Sequence, residues 1–170
     1  MQRRASCFAE SEETIIKKIL PLCVLPFVFC LILCSCRADL PHIDDGTVFS
    51  CGELQFELYV SSDTVCAEII KPDTLDGMCL SFGEKTLCTY KGLETVMPYS
   101  ACAVPYDAAK AAEAINGMLP VSRTVGENGM MIFTYALDET SCLVYYDAKQ
   151  QLVVGLYIGD RYYQMIDGDD

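Results

Sequence analysis

The chain has 170 residues, and its 24 acidic against 12 basic side chains leave a net charge of −12. That balance lacks the clustered Lys and Arg that phosphate backbones require, so nucleic acid is not an expected partner. An apolar content of 52% is too high for a disordered chain and points to a packed core.

The first organised segment is a targeting signal. Lys17-Lys18 supply a basic start, Ile19 to Leu33 an apolar middle, and Ser35 a small residue before Cys36. Leu33-Cys34-Ser35-Cys36 resembles the lipobox of bacterial lipoprotein signal peptides. The resemblance implies cleavage before Cys36, removal of residues 1–35, and lipid on Cys36. One acyl chain holds a protein to a bilayer only marginally, and the diacylglyceryl group of such lipoproteins meets the need for a second. The expected location is the outer face of the cytoplasmic membrane, or the outer membrane of a Gram-negative cell. The alternative is an uncleaved transmembrane helix, for which the 18 residues Ile19–Cys36 are the lower limit. Either way the basic flank stays in the cytoplasm and the rest lies outside. Glu10, Glu12 and Glu13 are foreign to a signal peptide, and suggest a start codon downstream of Met1.

Four basic and three acidic residues precede Cys36, so the part beyond the cleavage site carries a net charge of −13. Charge would not draw it to anionic lipid, and it serves solubility. Residues 36–45 read as a polar tether and 46–170 as one domain, a length that suits a modest core.

Eight strands are expected. Leu54, Phe56, Leu58 and Val60 alternate with Gln55, Glu57 and Tyr59 in the first. Residues 64–71 form the second, 78–82 the third and 85–90 the fourth. A loop bracketed by Pro98 and Pro105 follows. The period then becomes helical over Tyr106–Met118, with Ala108, Ala111, Ala112, Ile115 and Met118 on one stripe and Pro120 as the stop. Strands resume at 130–137, 141–146, 152–158 and 161–166. Gly159-Asp160 reads as a two-residue turn whose register puts Val154, Leu156, Ile158, Tyr163 and Met165 on the buried face, with Tyr157 opposite Tyr162 on the other. The fold class is α+β, mostly β: a curved antiparallel sheet, an incomplete barrel of about eight strands, with one covering helix.

Six cysteines remain past Cys36: Cys51, Cys66, Cys79, Cys88, Cys102 and Cys142. They form no C-x-x-C pair, which disfavours zinc-ribbon and thioredoxin-like chemistry. If Gly83-Glu84 is a two-residue turn, Cys79 faces Cys88 at a non-hydrogen-bonded position, where a disulfide fits. The other reading leaves all six free, as small buried hydrophobes.

The text Phe56-Glu57-Leu58-Tyr59-Val60, Ala67-Glu68-Ile69-Ile70-Lys71-Pro72, Leu75 to Gly83 and Tyr90-Lys91-Gly92-Leu93-Glu94, behind a lipobox, resembles the LolA/LolB-like superfamily as a pattern over roughly residues 46–166. The resemblance implies an incomplete barrel with a helical lid over a cavity that holds acyl chains. It carries over no functional residue.

No nucleophile-elbow, Walker or dinucleotide motif occurs, and the lone histidine, His42, sits in the tether as a solvated residue. Glu53 and Glu57 are too far apart along a strand, about 13 Å, for a glycosidase pair. No catalytic residue, metal or cofactor is expected, and Asp167-Gly168-Asp169-Asp170 reads as a frayed acidic tail. Tyr145, Tyr146, Tyr157, Tyr162 and Tyr163 either line a ligand surface or pack the sheet. Two functions remain open. In one, the curved sheet binds a lipid or lipopeptide, lined by Phe56, Leu58, Leu80, Phe82, Leu156, Ile158 and Met165. In the other, those residues fill a core, and an accessory lipoprotein engages a protein partner through its acidic surface.

Overall fold

The computed structural model describes residues 40–61, 64–138 and 140–166. The lipobox, Cys36 and the acidic tail lie outside the described residues.

Eleven strands and one helix are present among the described residues: β1 (Thr47–Cys51), β2 (Leu54–Val60), β3 (Val65–Lys71), β4 (Cys79–Phe82), β5 (Thr86–Tyr90), β6 (Leu93–Met97), α1 (Tyr99–Gly117), β7 (Ser122–Val125), β8 (Met130–Ala136), β9 (Ser141–Asp147), β10 (Leu152–Ile158) and β11 (Arg161–Ile166). All strands join one antiparallel sheet in the order β6-β5-β4-β3-β2-β1-β11-β10-β9-β8-β7. The sheet is two meanders, β1–β6 and β7–β11, fused by the pairing of β1 with β11. It is open, with β6 and β7 as free edges.

The eight expected strands are all present, and three more were not foreseen. β6 and β7 are short edge strands, exposed along almost their whole length, so no buried face imposes an alternating pattern. A signal for β6 does exist in Lys91-Gly92, which forms a two-residue turn with both φ values positive and pairs Tyr90 with Leu93. β1 buries only Phe49 fully, and its turn is Gly52-Glu53, with Gly52 at φ +62° and Cys51 opposite Leu54.

The helix starts seven residues earlier than its periodicity suggests and contains Pro105. Cys102 has non-helical φ/ψ, so Pro105 falls within the first turn after a kink, where its missing N–H costs nothing. Gly117 ends the helix and Pro120 prevents its continuation. Ala108, Ala111, Ala112 and Ile115 are buried as expected, joined by Ala109 and Ala114, whereas Met118 is exposed.

α1 leaves one edge of the sheet and returns the chain to the other, touching β2, β3 and β4 on one flank and β8 and β10 on the other. The alanine face of α1 admits a close approach to the sheet. Phe49, Phe56, Phe133, Tyr135 and Tyr163 supply the bulk from the sheet side.

Two registers differ from expectation. Ser81 pairs with Leu87 and Leu80 with Cys88, so the β4–β5 loop is the three residues Gly83-Glu84-Lys85 rather than two. This one-residue slip puts Cys79 opposite Thr89 and sends it to the other face from buried Cys88. The Cys79–Cys88 disulfide is thus incompatible with the fold, and both are free thiols. At Gly159-Asp160 the expected pairing holds, with Ile158 opposite Arg161 and Tyr157 opposite Tyr162. A bulge between Val153 and Gly155 turns Val153 inward in place of Val154.

The tether is shorter than expected. Pro41 and Ile43 are buried. The Asn116 side chain accepts from the Ile43 N–H and donates to the Ile43 carbonyl, both at 2.9 Å. An amide matches a peptide group in this way and fastens the incoming chain to the last turn of α1.

Candidate functional site

The seven side chains expected to line a ligand cavity all stand on the inner face, and the structure brings them into one cluster. Phe56, Leu58, Leu80 and Leu156 are at most 1% exposed, and Phe82 and Ile158 at most 6%. Met165 is partly buried against the same cluster. Their neighbours are the helix alanines, so the inner face of the sheet is packed protein. Tyr135 and Tyr163 are fully buried there; the Tyr135 hydroxyl has no hydrogen-bond partner, whereas the Tyr163 hydroxyl faces the Arg161 guanidinium. An orphan such as the Tyr135 hydroxyl costs about 1–3 kcal/mol. Burial pushes the Tyr163 hydroxyl upward in pKa, against the pull of Arg161 two residues earlier on the same strand. The Cys142 thiol, opposite Tyr135, is pushed up to about 12 by burial alone.

Open space lies instead at the rim. A cleft of about 280 Å³ is bounded by Tyr99, Tyr106, Asp107 and Lys110 of α1 and by Leu137, Asp138, Thr140 and Ile158 of the second meander. A second, of about 340 Å³, reaches from the same two tyrosines to the β4–β5 loop. Tyr106 is the hinge between them, edge-on to both Phe82 and Tyr99. The Asp107 carboxylate accepts from the Tyr99 hydroxyl at 2.9 Å and from Arg161 at 3.0 Å, one on each oxygen. These bonds tie the start of α1 to β11. The hydrogen bond to Asp107 also holds the Tyr99 hydroxyl above its ordinary pKa. Lys110 lies over the Tyr106 ring and pairs with Glu113 at 2.6 Å. Arg161 and Lys110, the cations beside the first cleft, thus each have a carboxylate partner, so neither is a free cation there. Nothing in the sequence singled out Tyr99 or Asp107, because they converge only when α1 crosses the sheet.

The tyrosines of the last three strands divide by strand parity. Tyr146 and Tyr163 point into the core. Tyr145, Tyr157 and Tyr162 form a stack on the outer face, with ring centroids 5.7 and 4.8 Å apart. Tyr162 covers Gly155, where an added Cβ would sit 2.5 Å from the Tyr162 hydroxyl oxygen. The rings pack mainly on one another and on that glycine, which is sheet packing rather than a flat binding platform.

On the outer face of the first meander Cys66 lies 3.4 Å from the Ser81 hydroxyl. The half-exposed Cys79 thiol is raised in pKa by burial first and by Glu68 second. A raised thiol is a weaker nucleophile at neutral pH, so Cys79 is not an activated cysteine. Among the described residues no group of three His, Cys, Asp or Glu side chains could hold a metal ion. His42 is exposed and stands 3.9 Å from Asp44. Glu53 occupies the β1–β2 turn, while Glu57 lies on β2.

No family model matches the chain, and no curated protein matches it. A solved structure described as an uncharacterized conserved protein from Thermus thermophilus is similar over 71% of this chain and 74% of that one, at 9% identity and a TM-score of 0.38. That likeness is too slight to carry an argument about fold or function.

Proposed function

We propose that residues 36–170 form a lipid-anchored extracytoplasmic module that acts through its surface, as an accessory or interaction lipoprotein with a filled core. The observation that supports this reading is the burial of Phe56, Leu58, Leu80 and Leu156 against the alanine face of α1. An acyl chain in the curved sheet would have to displace that helix. Native mass spectrometry of residues 37–170, made in a secreting host without detergent and then extracted with solvent, tests it. A bare protein mass supports the surface-acting reading. A co-purifying lipid of several hundred daltons overturns it in favour of a carrier. The second reading, an apolar or amphiphilic ligand, draws support from the rim cleft beside Tyr106, where aromatic edges meet Ile158.

A further inference from the structure

We propose that the α1–β7 connection and the adjoining edge strand form a membrane-contacting edge, which dips into the interface of the bilayer that holds the lipid on Cys36. This rests on the lipid-anchor reading and adds an orientation to it. Met118, Leu119, Val121 and Val125 are 50, 79, 71 and 73% exposed. Such large apolar side chains, consecutive or nearly so on one exposed stretch, mark an interaction surface. β7 is an edge strand, so alternation puts Val121 and Val125 on the same side as Arg123 between them. The Arg123 guanidinium is held over the Phe133 ring at 5.6 Å and donates to the Met131 sulfur at 2.8 Å, so this edge presents its apolar side chains rather than a free cation.

The occupant follows from where the chain enters the domain. Only five peptide links separate Cys36 from Pro41, a reach of at most about 18 Å. Pro41 and Ile43 are already buried, and Ile43 is clamped to Asn116 on both its backbone groups. Leu119 is three residues beyond Asn116, so it lies within about 11 Å of that clamp. The chain therefore enters the domain beside the apolar edge. The anchor supplies most of the binding energy, and the edge selects which side faces the membrane. A net charge of −13 beyond residue 35 opposes close approach to anionic lipid, which gives an apolar contact more orienting value than a basic one.

The chain contains no tryptophan, so Leu119→Trp introduces a single probe at an exposed site. The full-length variant is made in a lipoprotein-processing bacterial host, purified in detergent and reconstituted into vesicles of phosphatidylcholine with one fifth phosphatidylglycerol. Leu87→Trp on β5 serves as a reference away from the loop, and Val121→Trp as a second probe. Interfacial insertion places an indole about 5–10 Å below the headgroups. The expected result is a blue-shifted emission from Leu119→Trp and Val121→Trp, quenched by brominated phosphatidylcholine, with Leu87→Trp neither shifted nor quenched. If the N-terminal peptide carries lipid and the protein floats with vesicles, yet all three probes behave alike, the membrane-contacting edge is wrong and the anchor stands. If the peptide carries no lipid and the protein does not float, the anchor reading fails, and the edge proposal fails with it.

Discussion

The centre and the edges of the sheet obey different rules. Around the β1–β11 seam, strands are covered by α1, and each presents its buried side chains to it, as β2 does with Phe56 and Leu58. At the rims, β6 and β7 bury almost nothing and are held by pairing with one neighbour each. Hydrophobic burial therefore places the centre, and backbone hydrogen bonding places the edges. The same division separates stability, which resides beneath the helix, from the surfaces free to meet a membrane or a partner.

The largest expected effect comes from emptying the centre. Phe56→Ala should cost about 3–5 kcal/mol, read from urea midpoints, because a fully buried ring stacked at 5.9 Å on Phe49 leaves a void. A loss below about 1 kcal/mol would mean that the inner face is loosely filled, and would revive the ligand reading. Asn116→Ala should cost about 1–3 kcal/mol, since it strips both partners from the half-buried Ile43 peptide. It should also speed proteolysis near residue 43; an unchanged cleavage rate would show that the clamp does not hold the entering chain.

Titration sharpens the same contrast. The Cys142 thiol rises from an ordinary 9.0 to about 12 in the folded core. Below pH 9 it is neutral in both states and contributes no pH dependence. Above pH 9 the unfolded thiol ionises while the folded one keeps its proton, so stability falls with pH, by up to about 1.4 kcal/mol per unit, until the folded thiol titrates. Cys142→Ala should flatten that decline by one proton, measured as unfolding free energy at about pH 8 and about pH 10.5. Equal slopes would mean that Cys142 meets water in the folded protein. The smallest effect belongs to the edge: Val96→Ser on β6, 56% exposed, should stay within about 0.5 kcal/mol. A larger loss would show that β6 is covered by something in solution.

Much of the centre was legible. Alternation at Leu54 to Val60 and the Gly159-Asp160 turn specify strands, face and register, because one face of each is buried and a one-residue slip would expose it. The alanine stripe announced a helix able to lie close to a sheet. The edges were not legible, since exposed residues are under no such constraint. The Gly83 turn was misread for a related reason. Two- and three-residue loops share the same residues, and only the seating of Leu80 and Phe82 beneath α1 decides between them.

The sequence by itself determined which residues are apolar on alternating faces and where a helix can form, because local pattern and composition suffice for these. Tertiary structure alone decided that β1 pairs with β11, that Cys79 and Cys88 part to opposite faces, and that Tyr99, Asp107 and Arg161 meet. Each is a contact between segments distant in the chain, or a register set by packing, and neither leaves a mark in local sequence. The Ile43–Asn116 clamp spans 73 residues, and it exists only because α1 ends beside the point where the chain enters.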